Sequence, residues 1–188
     1  MDERASQKSE LRTRLREARK SREPNAEYST RLSQALGQLC IDQKVETVAA
    51  YFPIEGEPDI REFLEWALKN GLRVMLPSVR GSDLHWVYFD GSTEFGELGF
   101  EEAAGKPAKL TDAGLVFVPA LAVDLRGNRL GKGKGYYDRA LAGLFAAGKK
   151  RAKVVAVVFD EEVLLRVPVE EHDHAVDAAI TAGKLLWF

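Results

Sequence analysis

One cysteine, Cys40, is all the thiol chemistry this 188-residue chain carries. An internal disulfide is therefore excluded, and a reducing compartment fits. Cys40 falls on the apolar side of a predicted helix, which makes it a small core residue. No apolar run approaches the roughly 20 residues that a membrane-spanning helix needs. Met1–Lys8 lacks the apolar centre of a signal peptide, and the cytoplasm is the expected compartment. Formal net charge is only −2, so the overall basic field of a nucleic-acid binder is missing. The expected partners are small molecules, without nucleic acid, membrane or an obligate protein partner. Histidine is scarce too. His85 has no cysteine or histidine near it, and His172 and His174, which bracket Asp173, lack the further ligands a zinc site requires. No Ser–His or Cys–His constellation suggests a covalent nucleophile. No internal repeat or low-complexity linker interrupts the chain, and residues 1–188 are read as one domain.

What is present is an alternation of helical and extended patterns. Residues 3–21 predict a helix with Leu11, Leu15 and Ala18 on one stripe and an excess of basic side chains elsewhere. Lys8 and Arg12 are four apart and share a face; their spacing suits a solvated amphipathic helix as well as a grip on a polyanion. A second helix is expected from Pro24 to about Asp42, and a buried strand over Val45–Phe52. A loop with Glu55 and Glu57 then leads to a helix over Ile60–Lys69, with Asp59 as its N-cap. Leu72–Val79 and Asp83–Phe89 read as strands, and residues 91–112, without clear periodicity, as a surface excursion. Leu115–Val123 is a central strand, Tyr136–Ala147 a helix, and Lys153–Phe159 and Ala178–Thr181 further strands. Strands alternating with helices imply an α/β sandwich with a mainly parallel sheet. Ligands in such sheets gather beyond the carboxyl ends of the strands.

Between the central strand and its helix lies the most distinctive stretch, Gly127-Asn-Arg-Leu-Gly-Lys-Gly-Lys-Gly-Tyr-Tyr-Asp138. Glycines 131, 133 and 135 allow close backbone approach and positive φ. The following helix adds the positive end of its dipole. Glycine spacing alone fits a flexible, lysine-decorated loop equally well. Arg129, Lys132 and Lys134, with the strand before and the helix after, favour an anion cradle. Neither standard phosphate fingerprint matches, since no G-x-x-x-x-G-K-[ST] occurs and Tyr136 stands where G-x-G-x-x-G needs its last glycine.

Val118-Pro-Ala-Leu-Ala-Val-Asp124, together with Gly127 to Arg139, resembles the signature of the 5-formyltetrahydrofolate cyclo-ligase family. The resemblance covers nearly the whole chain and is weakest between residues 90 and 112. It implies a three-layer α/β/α fold related to the ribose-phosphate isomerase and coenzyme A transferase architecture. Lys8-Ser-Glu-Leu-Arg12 is similar to the family's opening motif, whose lysine and arginine reach ATP. The implied ATP site comprises Lys8, Arg12, Arg129, Leu130, Gly131, Lys132, Gly133, Lys134, Gly135, Tyr136 and Tyr137. For the folate, the resemblance points to Glu57, whose carboxylate can accept paired hydrogen bonds from a pterin, and to Phe52 in the apolar wall. Lys132, Gly133, Lys134, Gly135 and Tyr136 would complete that side, although many members carry another residue at Lys132. Pro168, Asp173, Val176 and Asp177 match a further family element. Asp138 and Asp173 are its implied Mg2+ carboxylates, though Asp138 in a first helical turn is also explained by the helix dipole.

The implied reaction is ATP- and Mg2+-dependent closure of 5-formyltetrahydrofolate to 5,10-methenyltetrahydrofolate through a phosphorylated formyl group, with Arg129 and Lys134 as the catalytic cations. Two other readings compete. A relative with the same cradle could act on a different small substrate, and the basic first helix could bind an acidic partner.

Overall fold

The computed structural model describes residues 3–97, 99–146, 152–170 and 173–188. Helix α1 (Glu3–Lys20) and helix α2 (Ala26–Asp42) open the chain. The second starts later than expected because Asn25, not Pro24, caps it: the Asn25 side chain accepts from the Tyr28 N–H at 2.9 Å. Strand β1 (Thr47–Ala49) and helix α3 (Arg61–Lys69) follow. Ile60 occupies the N-cap position of α3, while Asp59, one residue earlier, still accepts the Arg61 N–H at 3.0 Å.

Strands β2 (Arg73–Arg80) and β3 (Asp83–Phe89) form an antiparallel hairpin. Residues 91–112, expected as a surface excursion, hold β4 (Thr93–Phe95), β5 (Glu101–Ala103) and β6 (Pro107–Ala108). The first two pair with each other, and β6 extends the main sheet beside β3. Strand β7 (Leu115–Pro119) stops four residues short of the expected Val123. The apolar run continues instead into a separate small sheet, as β8 (Ala122–Asp124), paired with β9 (Arg129–Leu130). The cause is Asp124, which accepts from the N–H groups of Arg126 and Asn128 and turns the chain back on itself, with Gly127 at φ 80°. The glycine loop thus follows a hairpin rather than the central strand itself. Helix α4 (Tyr136–Ala146) comes next; its expected end, Ala147, lies outside the described residues. Strands β10 (Lys153–Val157), β11 (Val163–Leu164), β12 (Ala178–Ile180) and β13 (Leu185–Trp187) complete the chain.

Among the described residues the main sheet runs β13-β12-β10-β7-β1-β2-β3-β6. Its five central strands are parallel and its margins antiparallel. Alternate residues of the central strands sort to opposite faces, and both faces are apolar, as a sheet covered on both sides requires. Val48, Val74, Leu115, Phe117 and Val155 meet α2 and α3 through Leu32, Leu36 and Phe63. Ala49, Met75, Val116, Val118 and Val154 meet Leu141 and Leu144 of α4. The architecture is accordingly the three-layer α/β/α sandwich. Trp86 is buried within the second of these cores. Cys40 is free and buried in the first.

Candidate active site

Helix α1 is poorly amphipathic in the usual sense, because much of its docking face is basic. Lys8, Arg12, Arg16 and Arg19 recur at helical spacing and turn inward. Lys8, 3% exposed, places Nζ 2.5 Å from both Glu170 Oε2 and Asp173 Oδ2. Arg12 Nε donates to the Gly131 carbonyl at 3.0 Å, and Arg16 Nη2 to the Lys132 carbonyl at 2.6 Å. Arg19 donates to the Ala120 carbonyl and to both oxygens of Glu162. These four cations of the helix, which a competing reading offered to an acidic partner, contact their own chain.

Those contacts fix the loop. A peptide's carbonyl and the next N–H point in opposite directions. Holding the carbonyls of Gly131 and Lys132 against α1 therefore directs the N–H groups of Lys132 and Gly133 away from it. None of the backbone N–H groups from Gly131 to Gly135 donates to another group among the described residues. Gly133 and Gly135 have φ of 97° and 69°, where a side chain would be strained. Gly131 does not, contrary to the expectation of positive φ at all three glycines; a side chain there would meet the Arg129 guanidinium at ordinary contact distance.

The loop is a partition between two cavities. On one side, about 220 Å³ is lined by Lys8, Arg12, Arg129, Leu130, Gly131, Gly133 and Gly135, together with Asp138, Asp173 and Glu170. On the other, about 330 Å³ is lined by Tyr51, Phe52, Pro77, Leu84, Phe100 and Pro119 as its apolar wall, with Glu57, Lys132, Lys134, Tyr136 and Tyr137. Arg129 and Asp138 border both. A wider cleft of about 870 Å³ adjoins the apolar cavity and shares Arg16, Ile54, Glu57 and Lys132 with it.

Charge is tightly organised here. Arg129, 7% exposed, donates from Nη2 to Asp138, while its buried Nε has no partner. A buried guanidinium N–H left unsatisfied is costly. Lys134 is exposed, with no ion-pair partner among the described residues. Lys132 turns toward Glu57, at 2.7 Å, and lines the apolar cavity rather than the polar one. Burial pushes the Tyr137 hydroxyl well above its ordinary range, with the Glu57 carboxylate adding to the effect and Arg129 opposing it.

The sequence-expected residues thus divide. Lys8, Arg12 and Leu130 reach the polar cavity; Phe52, Glu57, Lys132, Lys134, Tyr136 and Tyr137 reach the apolar one; Arg129 and the three glycines line both. Asp138 and Asp173, the expected Mg2+ carboxylates, line the same polar cavity, each beside a cation: Arg129 for the first, Lys8 for the second. Two carboxylates on one polar cavity are a donor set that suits Mg2+ shared with phosphate oxygens. Zinc gains no support: His174 stacks on Phe145 with centroids 4.7 Å apart, and His172 lies outside the described residues.

Three participants escaped the sequence reading. Arg16 and Arg19 carried the signal of their helical spacing from Lys8 and Arg12. Glu102 carried none. This buried carboxylate lies in the presumed surface excursion, accepts from Ser78 Oγ at 2.7 Å and from the Val79 N–H, and lines the apolar cavity.

Fold and site define an α/β protein that sets a polar pocket lined by cations and carboxylates against an apolar one. The profile of the 5-formyltetrahydrofolate cyclo-ligase family matches residues 4–182. The 5-formyltetrahydrofolate cyclo-ligase of Mycolicibacterium smegmatis is 39% identical over 189 residues, covering 93% of each chain. The Escherichia coli K12 enzyme of the same name is 27% identical over 147 residues, 74% of this chain and 79% of that one. The solution structure of Aquifex aeolicus 5,10-methenyltetrahydrofolate synthetase superposes with a TM-score of 0.82 at 30% identity, over 96% of this chain and 92% of that one. The chain belongs to the 5-formyltetrahydrofolate cyclo-ligase family, and it is an enzyme.

Proposed function

We propose that the protein converts 5-formyltetrahydrofolate to 5,10-methenyltetrahydrofolate, consuming ATP and releasing ADP and phosphate. The observation that carries this reading is the partition itself: Lys8, Arg12 and Arg129 line the polar cavity, aromatic and apolar side chains wall the other, and glycines 131, 133 and 135 border both. A triphosphate fits the first and a reduced pterin the second, with their reacting ends meeting at the glycine loop.

A formyl oxygen on nitrogen 5 is a poor leaving group at neutral pH. In the proposed reaction it attacks the γ-phosphorus, and the bond from that phosphorus to ADP breaks. Nitrogen 10 then attacks the activated formyl carbon and loses its proton. Cleavage of the carbon–oxygen bond releases phosphate and leaves the methenyl bridge. Positioning and charge neutralisation supply most of the catalysis. Lys8, Arg12 and the Gly131–Gly135 amides hold the triphosphate; Arg129 and Lys134 neutralise the charge of the moving phosphoryl group. Asp138 and Asp173 would hold Mg2+, which supplies additional positive charge to the phosphate oxygens when bound. Glu57 and Phe52 orient the pterin. A free, buried Cys40 fits the cytoplasmic location we assign. In keeping with that, no helix among the described residues is long and apolar enough to cross a membrane.

The test is direct. Incubation with 5-formyltetrahydrofolate, ATP and Mg2+ should generate the near-ultraviolet absorbance of the methenyl product, with stoichiometric ADP. ADP formation without that absorbance would assign the cradle to another small substrate. Neither signal from folded protein would end the proposal.

A further inference from the structure

Glu57 is held at both ends. Its Oε2 accepts the Ile54 N–H at 3.1 Å, and its Oε1 lies 2.7 Å from Lys132 Nζ. The Glu57 side chain is 5% exposed and that of Lys132 37%. Because the backbone amide takes one oxygen and the ammonium stands beside the other, the pair offers a row of groups to the apolar cavity. That row reads acceptor, acceptor, donor. An ammonium carries three N–H donors, and the contact with Glu57 uses one of them.

The 2-amino-4-oxo edge of a pterin reads donor, donor, acceptor: the 2-amino group, the N3–H and the 4-oxo oxygen. It is the complement of the Glu57–Lys132 row. A 2,4-diamino edge instead reads donor, acceptor, donor. Its N3 lone pair would face a carboxylate oxygen, and its 4-amino group would face the ammonium. Resting on the folate reading above, we infer that Lys132 is a specificity-determining residue: it donates to the 4-oxo oxygen of the substrate while Glu57 accepts from the two neighbouring donors. The loop residue thereby selects 4-oxo over 4-amino folates.

Mismatched polar groups in a built site are rejected far more strongly than lost apolar contacts. Partial exposure of Lys132 moderates the effect, and the expected preference is roughly ten- to a hundredfold. The experiment compares equilibrium binding of 5-formyltetrahydrofolate with that of its 4-amino counterpart, 5-formyltetrahydroaminopterin, which differs only at position 4 and its ring tautomer. Wild type should bind the 4-oxo compound more tightly by about that ratio. Lys132→Met should bring the two affinities to within about threefold of each other, and Lys132→Arg, which keeps the cation, should restore the preference. If Lys132→Met weakens both ligands equally and preserves the ratio, Lys132 merely supports Glu57 and the inference falls. Equal binding of the two compounds by wild type overturns it as well. Failure of wild type to bind either compound removes the folate reading itself, and this inference with it.

Discussion

Arg19 and Glu162 meet beneath the first helix as a two-bond pair, Nε to Oε1 and Nη2 to Oε2, each at 2.7 Å. Both side chains are buried, and Glu162 also accepts the Phe159 N–H at 2.9 Å. Removing one partner of a buried pair strands the other charge, at a cost of about 3–5 kcal/mol. Arg19→Met should therefore lower unfolding free energy by about that amount in urea titrations. The double substitution with Glu162→Gln should cost less than the sum of the two single changes, because they remove one shared interaction. Strict additivity would show that the pair contributes nothing jointly.

Lys134→Ala should separate catalysis from folding. The side chain is exposed and has no ion-pair partner among the described residues, so the melting temperature should barely move. If Lys134 neutralises the migrating phosphoryl group, turnover should drop at least ~100-fold. Unchanged turnover in a steady-state assay would remove this lysine from the mechanism.

Glu57→Ala should act on one substrate. The carboxylate lines the apolar cavity and not the polar one. Affinity for 5-formyltetrahydrofolate should weaken about tenfold or more, in line with loss of charge-assisted hydrogen bonds. Nucleotide affinity should stay within about twofold. Separate calorimetric titrations distinguish this from a general loss of site structure, which would weaken both.

Asp124 gives the hairpin beside the loop a pH-dependent anchor. Burial alone would raise its carboxyl, but bonds from the Asn128 side chain and the N–H groups of Val167, Arg126 and Asn128 outweigh burial and hold it below the ordinary range. The folded value lies under the unfolded one of about 3.9. Its stabilisation is thus complete above the unfolded value and disappears as pH falls through the folded one. Asp124→Asn should cost about 1–3 kcal/mol at neutral pH. The gap from wild type should close on acidification below about pH 4, as measured by thermal melts across pH. A gap independent of pH would contradict the assignment.

Cys40 should report on unfolding. Burial in the first core raises its thiol to about 12, so almost no thiolate exists at neutral pH. An aromatic disulfide reagent should label it slowly in native protein and rapidly in denaturant. Fast labelling of the native state would mean that α2 opens readily.

The division between what was and was not legible follows the range of the interactions involved. A continuous apolar run placed β10 well, because a strand covered on both faces imposes itself locally. The glycines between lysines marked the loop for the same reason. The run Leu115–Val123 misled because hydrophobicity does not reveal a sheet change; the signal was Asp124, three residues before Gly127, whose side chain turns the chain. Arg16 looked like a solvent-facing cation because its partner, the Lys132 carbonyl, lies 116 residues away. Glu102 was invisible for a similar reason, since only packing against Ser78 and Val79 makes it part of a cavity wall.

The inward basic stripe of α1 also bears on biosynthesis. The helix is synthesised well before its anchors, which lie 101 to 165 residues downstream, at Ala120, Gly131, Lys132, Glu162, Glu170 and Asp173. During translation its cations wait, solvated, until Glu170 and Asp173 have emerged. Docking of α1 therefore waits for Asp173, and a nascent chain halted before that residue holds an unfinished site however well its sheet has formed.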